Sequence, residues 1–120
     1  MSYSLVFSRN PIPKNIDDPW AWIDAEIEKY YKDERGAHPK LKELHDRLTS
    51  KYPCICDLSD EELDNGVWSD GPLINNFSQD IAMVAMPFSV VDEVAPFVVE
   101  TAVNLGIIVF DHQSRNIYGA

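Results

Sequence analysis

Apolar and polar positions follow two different periods along this chain, and the switches between them mark its elements. Ser4-Leu5-Val6-Phe7 is a short apolar run near the start, closed by Pro11 and Pro13, and reads as a first strand. At Asp17-Asp18-Pro19 the spacing changes to helical. Trp20, Ile23, Ile27 and Tyr30 recur at three and four residues, Trp22 and Tyr31 widen the stripe, and a helix over 17–34 follows, ended by Gly36. Pro39 opens a second helix over 39–51 with Leu41, Leu44, Leu48 and Tyr52 as its stripe, and Pro53 stops it. The short link predicts an αα-hairpin.

Residues 53–78 show neither period and read as a long loop. Ser59 and Glu62 match a capping box, so one turn of helix is expected at 59–63. Ile81, Met83 and Ala85 then alternate with Ala82, Val84 and Met86, apolar on both faces, which predicts a central, covered strand over 79–86. Ser89-x-x-Asp92 starts a third helix with Val91, Val94, Val98, Ala102 and Leu105 on its inner face and Asn104 and Gly106 at its end. Pro96 inside it predicts a kink or a later start. Ile107 to Phe110 is a third strand, 111–116 a turn, and Ile117-Tyr118 a short fourth strand. The order β-α-α-loop-β-α-β-β predicts one α+β domain over 1–120, a two-layer sandwich of a small mixed sheet of about four strands packed against three helices. The β-α-β unit at its end predicts a parallel crossover.

Charge changes this picture more than composition does. The 120 residues carry a formal net charge of −10. Residues 1–51 hold nine bases and nine acids; residues 52–120 hold eleven acids and a single base, Arg115. Such a field repels phosphate, so direct nucleic-acid binding and an anionic membrane surface are disfavoured. A cationic partner is favoured. The bland account of the same acids is solubility. No apolar run approaches the length of a membrane span, and the start lacks the pattern of a secretory leader, so a cytoplasmic protein with reduced thiols is expected.

Specific chemistry is sparse. Cys54-x-Cys56 is too tightly spaced for a zinc pair, and two such side chains on a strand point the same way at a poor distance for a bridge. The acids from Asp60 onward miss the calcium-loop frame, since Gly66 falls one place late. Asp111-His112 with Ser114 nearby has the residue types of a triad, but neighbours on a turn diverge. The isolated glycines form no phosphate-binding loop. No metal or cofactor is expected. Trp68, between Gly66 and Gly71 in the acidic loop, reads foremost as a packed anchor and otherwise as an interface contact; an anchored indole also holds its flanking acids in place.

The short first strand, Trp68-Ser-Asp-Gly-Pro-Leu73, the strand ending before Ser89, the helix through Leu105-Gly106, Ile107-Ile-Val-Phe-Asp-His-Gln-Ser114 and Tyr118 together resemble a family of small bacterial immunity proteins encoded beside polymorphic or contact-dependent toxins. Pro96 departs from that pattern. The resemblance implies a non-enzymatic inhibitor of a cognate toxin, many of which are nucleases with basic clefts. The candidate contacts are Asp57, Asp60, Glu61, Glu62, Asp64, Trp68 and Asp70. A small carboxylate-based or metal-dependent hydrolase using His112, and an acidic adaptor without a toxin, are the alternatives. Oligomeric state is not legible.

Overall fold

A computed structural model of the chain describes residues 2–63, 66–69 and 71–120. Four strands, β1 (Ser2–Ser8), β2 (Ile81–Pro87), β3 (Ile108–Asp111) and β4 (Asn116–Tyr118), form one sheet in the order β2-β1-β3-β4. The helices are α1 (Pro19–Tyr30), α2 (Pro39–Lys51) and α3 (Val91–Asn104). The α+β class and the element order match the sequence reading. The sheet differs from the expected mixed one, because every hydrogen-bonded pair is antiparallel. Since β1 lies between β2 and β3 and opposes both, the two strands joined by α3 run the same way without touching.

The layering also differs. Side chains of successive strand residues point to opposite faces. Leu5, Phe7, Val84, Met86 and Val109 pack with Leu41, Leu44 and Leu48 of α2 and Val94, Val98 and Ala102 of α3. Val6, Ile81, Ile108 and Phe110 instead pack with Trp20, Trp22, Ile23 and Ile27 of α1. The sheet is therefore covered on both faces, and three layers replace two. It follows that α1 and α2 do not form a hairpin: they belong to different layers. The chain between them rounds the β2 edge, tied there by Gln79 Nε2 donating to Gly36 O at 3.1 Å and by His38 N donating to Ser78 O at 3.0 Å.

The helix ends follow side-chain chemistry. Asp18 accepts the Trp20 N–H at 2.9 Å, and Pro19 takes the first helical position. α1 stops at Tyr30, short of the expected 34. The Asp33 carboxylate captures the Arg35 N–H at 3.0 Å and its guanidinium at 2.7 Å, which turns the chain out of the helix. α3 begins at Val91 after a 3-10 turn over Phe88–Val90 and runs through Pro96. The carbonyl that Pro96 leaves without an intrahelical donor is that of Asp92, and both residues are exposed, so water can serve it. At its far end Gly106, with φ +75°, donates to Val103 O at 2.9 Å, and Ile107 donates to Ala102 O at 3.0 Å. That is the paired termination that glycine permits.

β2 is an edge strand by order, where a central one was expected. Its outer side is nonetheless covered, because the chain before it folds back along it. Ser69 N donates to Ala85 O at 2.8 Å, Ser78 N donates to Ile81 O at 2.9 Å, and Phe77 bridges Ala82. A strand protected in this way can be apolar on both faces without a partner strand on each side.

Candidate acidic surface

Residues 53–63 leave α2 and carry the candidate carboxylates outward. A 3-10 turn over Ile55–Asp57 is followed by a turn over 59–63 whose Leu63 N–H donates to Ser59 O at 3.1 Å. Glu62 folds back on this turn. Its Oε1 accepts the Ser59 N–H at 3.1 Å and the Ser59 hydroxyl at 2.9 Å. These bonds, the one from the backbone first, hold its carboxyl below the usual range. The expected capping box is thus present in its backward half. Asp57, Asp60, Glu61 and Glu62 are all exposed. Asp64 and Asp70, which the sequence reading placed on the same surface, lie outside the described residues.

Trp68 occupies the interior. It is 2% exposed, its ring meets that of Tyr52 edge-on, and its Nε1 donates to Tyr52 O at 2.7 Å. The anchor reading holds, and a direct contact by the indole with a partner does not, because no indole surface is free to make one. Val67 and Leu73 are buried on either side of it. The segment beneath the acids is thereby stitched to the end of α2.

The acids divide into neutralised and unopposed groups. Among the described residues, Lys and Arg ion pairs end on Glu26, Asp33, Glu43, Asp46 and Asp80. Asp80 had no evident partner in the sequence, yet Arg9 and Arg35 bracket it at 3.0 and 3.1 Å, and Asn10 adds a hydrogen bond at 3.1 Å. Asp57, Asp60, Glu61 and Glu62, with Asp92, Glu93 and Glu100 on α3, have no such cation, and neither do Asp17, Asp18, Asp24, Glu28 and Glu34 in the first part of the chain. Arg115 is turned to the opposite layer, its guanidinium 5.0 Å from the Trp20 ring centre.

Asp111 and His112 diverge, as neighbours on a turn should. Asp111 is 5% exposed; it accepts from the Tyr3 hydroxyl and from the N–H groups of Gln113 and Ser114, both at 3.1 Å. His112 points to the α1 side, where its Nε2 lies 3.0 Å from Asp24 Oδ1 and its ring 5.0 Å from that of Trp20. No triad forms from these residues. Sequence reasoning also missed an open groove of about 790 Å³ between α3 and the β3–β4 hairpin, floored by Tyr3 and Leu5 and rimmed by Asp92 and Glu100. Its walls come from elements far apart in the chain, which no local pattern could signal.

The fold and surface together define a small α+β domain with a sheet between two helical layers and an acidic segment standing off one end of α2. No family model matches the chain, and neither does any curated protein or solved structure. Among the described residues no group of three or more His, Cys, Asp or Glu could hold a metal ion, and no helix is long and apolar enough to cross a membrane.

Proposed function

We propose that this chain is a binding protein of the immunity type, which neutralises a cationic toxin domain by laying carboxylates over its basic cleft. The observation that carries the reading is that Asp57, Asp60, Glu61 and Glu62 stand exposed on one short segment with no Lys or Arg ion pair among the described residues, while Arg9, Lys29, Arg35, Lys42 and Arg47 pair with carboxylates elsewhere. Unopposed charge of one sign raises the encounter rate with a partner of the other sign. The contacts are carboxylates on a segment anchored by Trp68, so little ordering entropy is left to lose on binding. The reaction needs no bond making by this chain; inhibition is occupancy of the cleft in place of nucleic acid.

The test is co-expression with the product of the gene immediately upstream, scoring growth and co-purification. Rescue of growth together with a stable complex supports the reading. A complex without rescue assigns an adaptor role instead, and neither rescue nor complex overturns it.

A further inference from the structure

The C-x-C pair is not used by the surface described above, and its geometry differs from what a strand would give. Cys54 precedes the 3-10 turn over Ile55–Asp57, and that turn draws the two side chains together: the Sγ atoms lie 2.8 Å apart. A disulfide needs about 2.05 Å, so closing the gap takes a movement of under an ångström. The two thiols have unequal surroundings. Cys56 is exposed, whereas Cys54 is 4% exposed. Gly71 packs against Cys54, since a methyl group there would lie 3.2 Å from its Sγ. Leu73 N–H donates to the same sulfur at 3.2 Å. Burial opposes charge on Cys54, but the bonds from the Cys56 thiol and from Leu73 N–H outweigh it and set its thiol below the ordinary value. Cys56, which donates that bond, is pushed up to about 11. With no third ligand in reach among the described residues, the pair suits bond formation better than a metal ion.

We propose that Cys54 and Cys56 are a redox-active dithiol, which closes to an intrachain disulfide by exchange with a low-molecular-weight disulfide such as oxidised glutathione. Cys56 is the entry point because it is exposed. Cys56 gives up its proton to solvent and, as the thiolate, attacks one sulfur of the incoming disulfide, whose S–S bond breaks and whose other half leaves as a thiolate and takes up a proton. Cys54, having lost its own proton to solvent, then attacks the Cys56 sulfur of the mixed disulfide. The Cys54–Cys56 bond forms, and the second small thiol is expelled. Two protein thiols are oxidised and one small disulfide is reduced to two thiols. Closure turns the Cys54 sulfur that accepts from Leu73 N–H into half of a disulfide, so the oxidised loop is held differently from the reduced one.

The experiment equilibrates the intact chain in buffers of increasing oxidised-to-reduced glutathione, quenches with acid, and reads mass and free-thiol content. Expected is a product lighter by two hydrogens with both thiols lost together. Cys54→Ser should stop at a persistent glutathione adduct, because the resolving thiol is gone, while Cys56→Ser should stay largely unmodified. If Cys54→Ser fails to fold, Cys54→Ala serves the same arm, and the wild-type masses decide the point by themselves. A wild-type chain that stays a dithiol across the series, stops at the glutathione adduct, or crosslinks to a second copy overturns the proposal.

Discussion

The indole Nε1 of Trp68 donates to the carbonyl oxygen of Tyr52 at 2.7 Å, joining the last turn of α2 to a segment sixteen residues further on. The carbonyl lies where the helix has ended, so it has no intrahelical donor, and the indole supplies one. Trp68→Phe keeps most of the apolar volume and removes this donor. It should lower stability by about 1–3 kcal/mol. Trp68→Ala, which also opens a cavity, should cost about 3–5 kcal/mol. Urea unfolding monitored by circular dichroism reads both, and a Phe variant as stable as the wild type would remove the hydrogen bond from the account.

Asp111 closes the β3–β4 turn by accepting two backbone N–H groups, and it receives the Tyr3 hydroxyl from the other end of the fold. Asp111→Ala removes the acceptor of four hydrogen bonds, the one from Gln113 Nε2 included, and should destabilise by about 3 kcal/mol. Tyr3→Phe should cost about 1 kcal/mol. Burial first, and then the bond to Asp111, raise the Tyr3 phenol above its ordinary value. A raised folded-state value stabilises the fold below the unfolded pKa, and that stability is lost as pH climbs through the folded one. The urea midpoint should therefore fall above about pH 10, and Tyr3→Phe should flatten that alkaline limb. An equal slope in both proteins contradicts the assignment.

The parts of this fold that are local in the chain were legible in it. α2 shows a clean stripe from Leu41 to Leu48 between two prolines, and α3 ends at a glycine whose positive φ its position demanded. Periodicity says which residues are inside, but not which face of the sheet they cover. For that reason α1 could not be placed opposite α2 and α3. The edge position of β2 was hidden because its protection comes from Ser69, Phe77 and Ser78 in a stretch without period. The candidate surface was half legible. Trp68 declared itself by its glycine-flanked setting, and the acids by the absence of bases around them. The neutralisation of Asp80 by Arg9 and Arg35 depends on chain segments that only the fold brings together. The convergence of Cys54 and Cys56 was missed because, although the segment read as a loop, the distance between the two thiols was judged by strand geometry, and a 3-10 turn forms there.

The same long-range pairs predict the acid side of the stability curve. Arg35, through its side chain first and its backbone N–H second, holds the Asp33 carboxyl well below the usual range. Burial raises Asp80, but Asn10, Arg35 and Arg9 outweigh it and the net direction is down. Depressed carboxyls stabilise the fold above their unfolded values, and this is lost as pH falls through the folded ones. The advantage of wild type over Asp80→Asn should be largest near neutrality and shrink below about pH 4. Urea midpoints of both proteins across that range check it. A constant difference would mean that Asp80 acts through packing rather than charge.

Glu62 should be left in place when the acidic surface is tested, because its carboxylate serves Ser59 and its loss would loosen the turn as well as remove a charge. Asp57, Asp60 and Glu61 are exposed, and none of them is in an ion pair among the described residues. Reversing these three to Lys should change stability by no more than about 0.5 kcal/mol. If they steer a cationic partner, association with the co-purified protein should slow roughly tenfold at low salt. The rate should also lose most of its dependence on ionic strength, while dissociation changes less, because steering acts before the contacts form. Stopped-flow association at several salt concentrations separates these quantities. If the reversed variant keeps both the wild-type rate and its salt slope, the partner docks elsewhere, and the exposed carboxylates of 57–61 serve only to keep the chain dispersed.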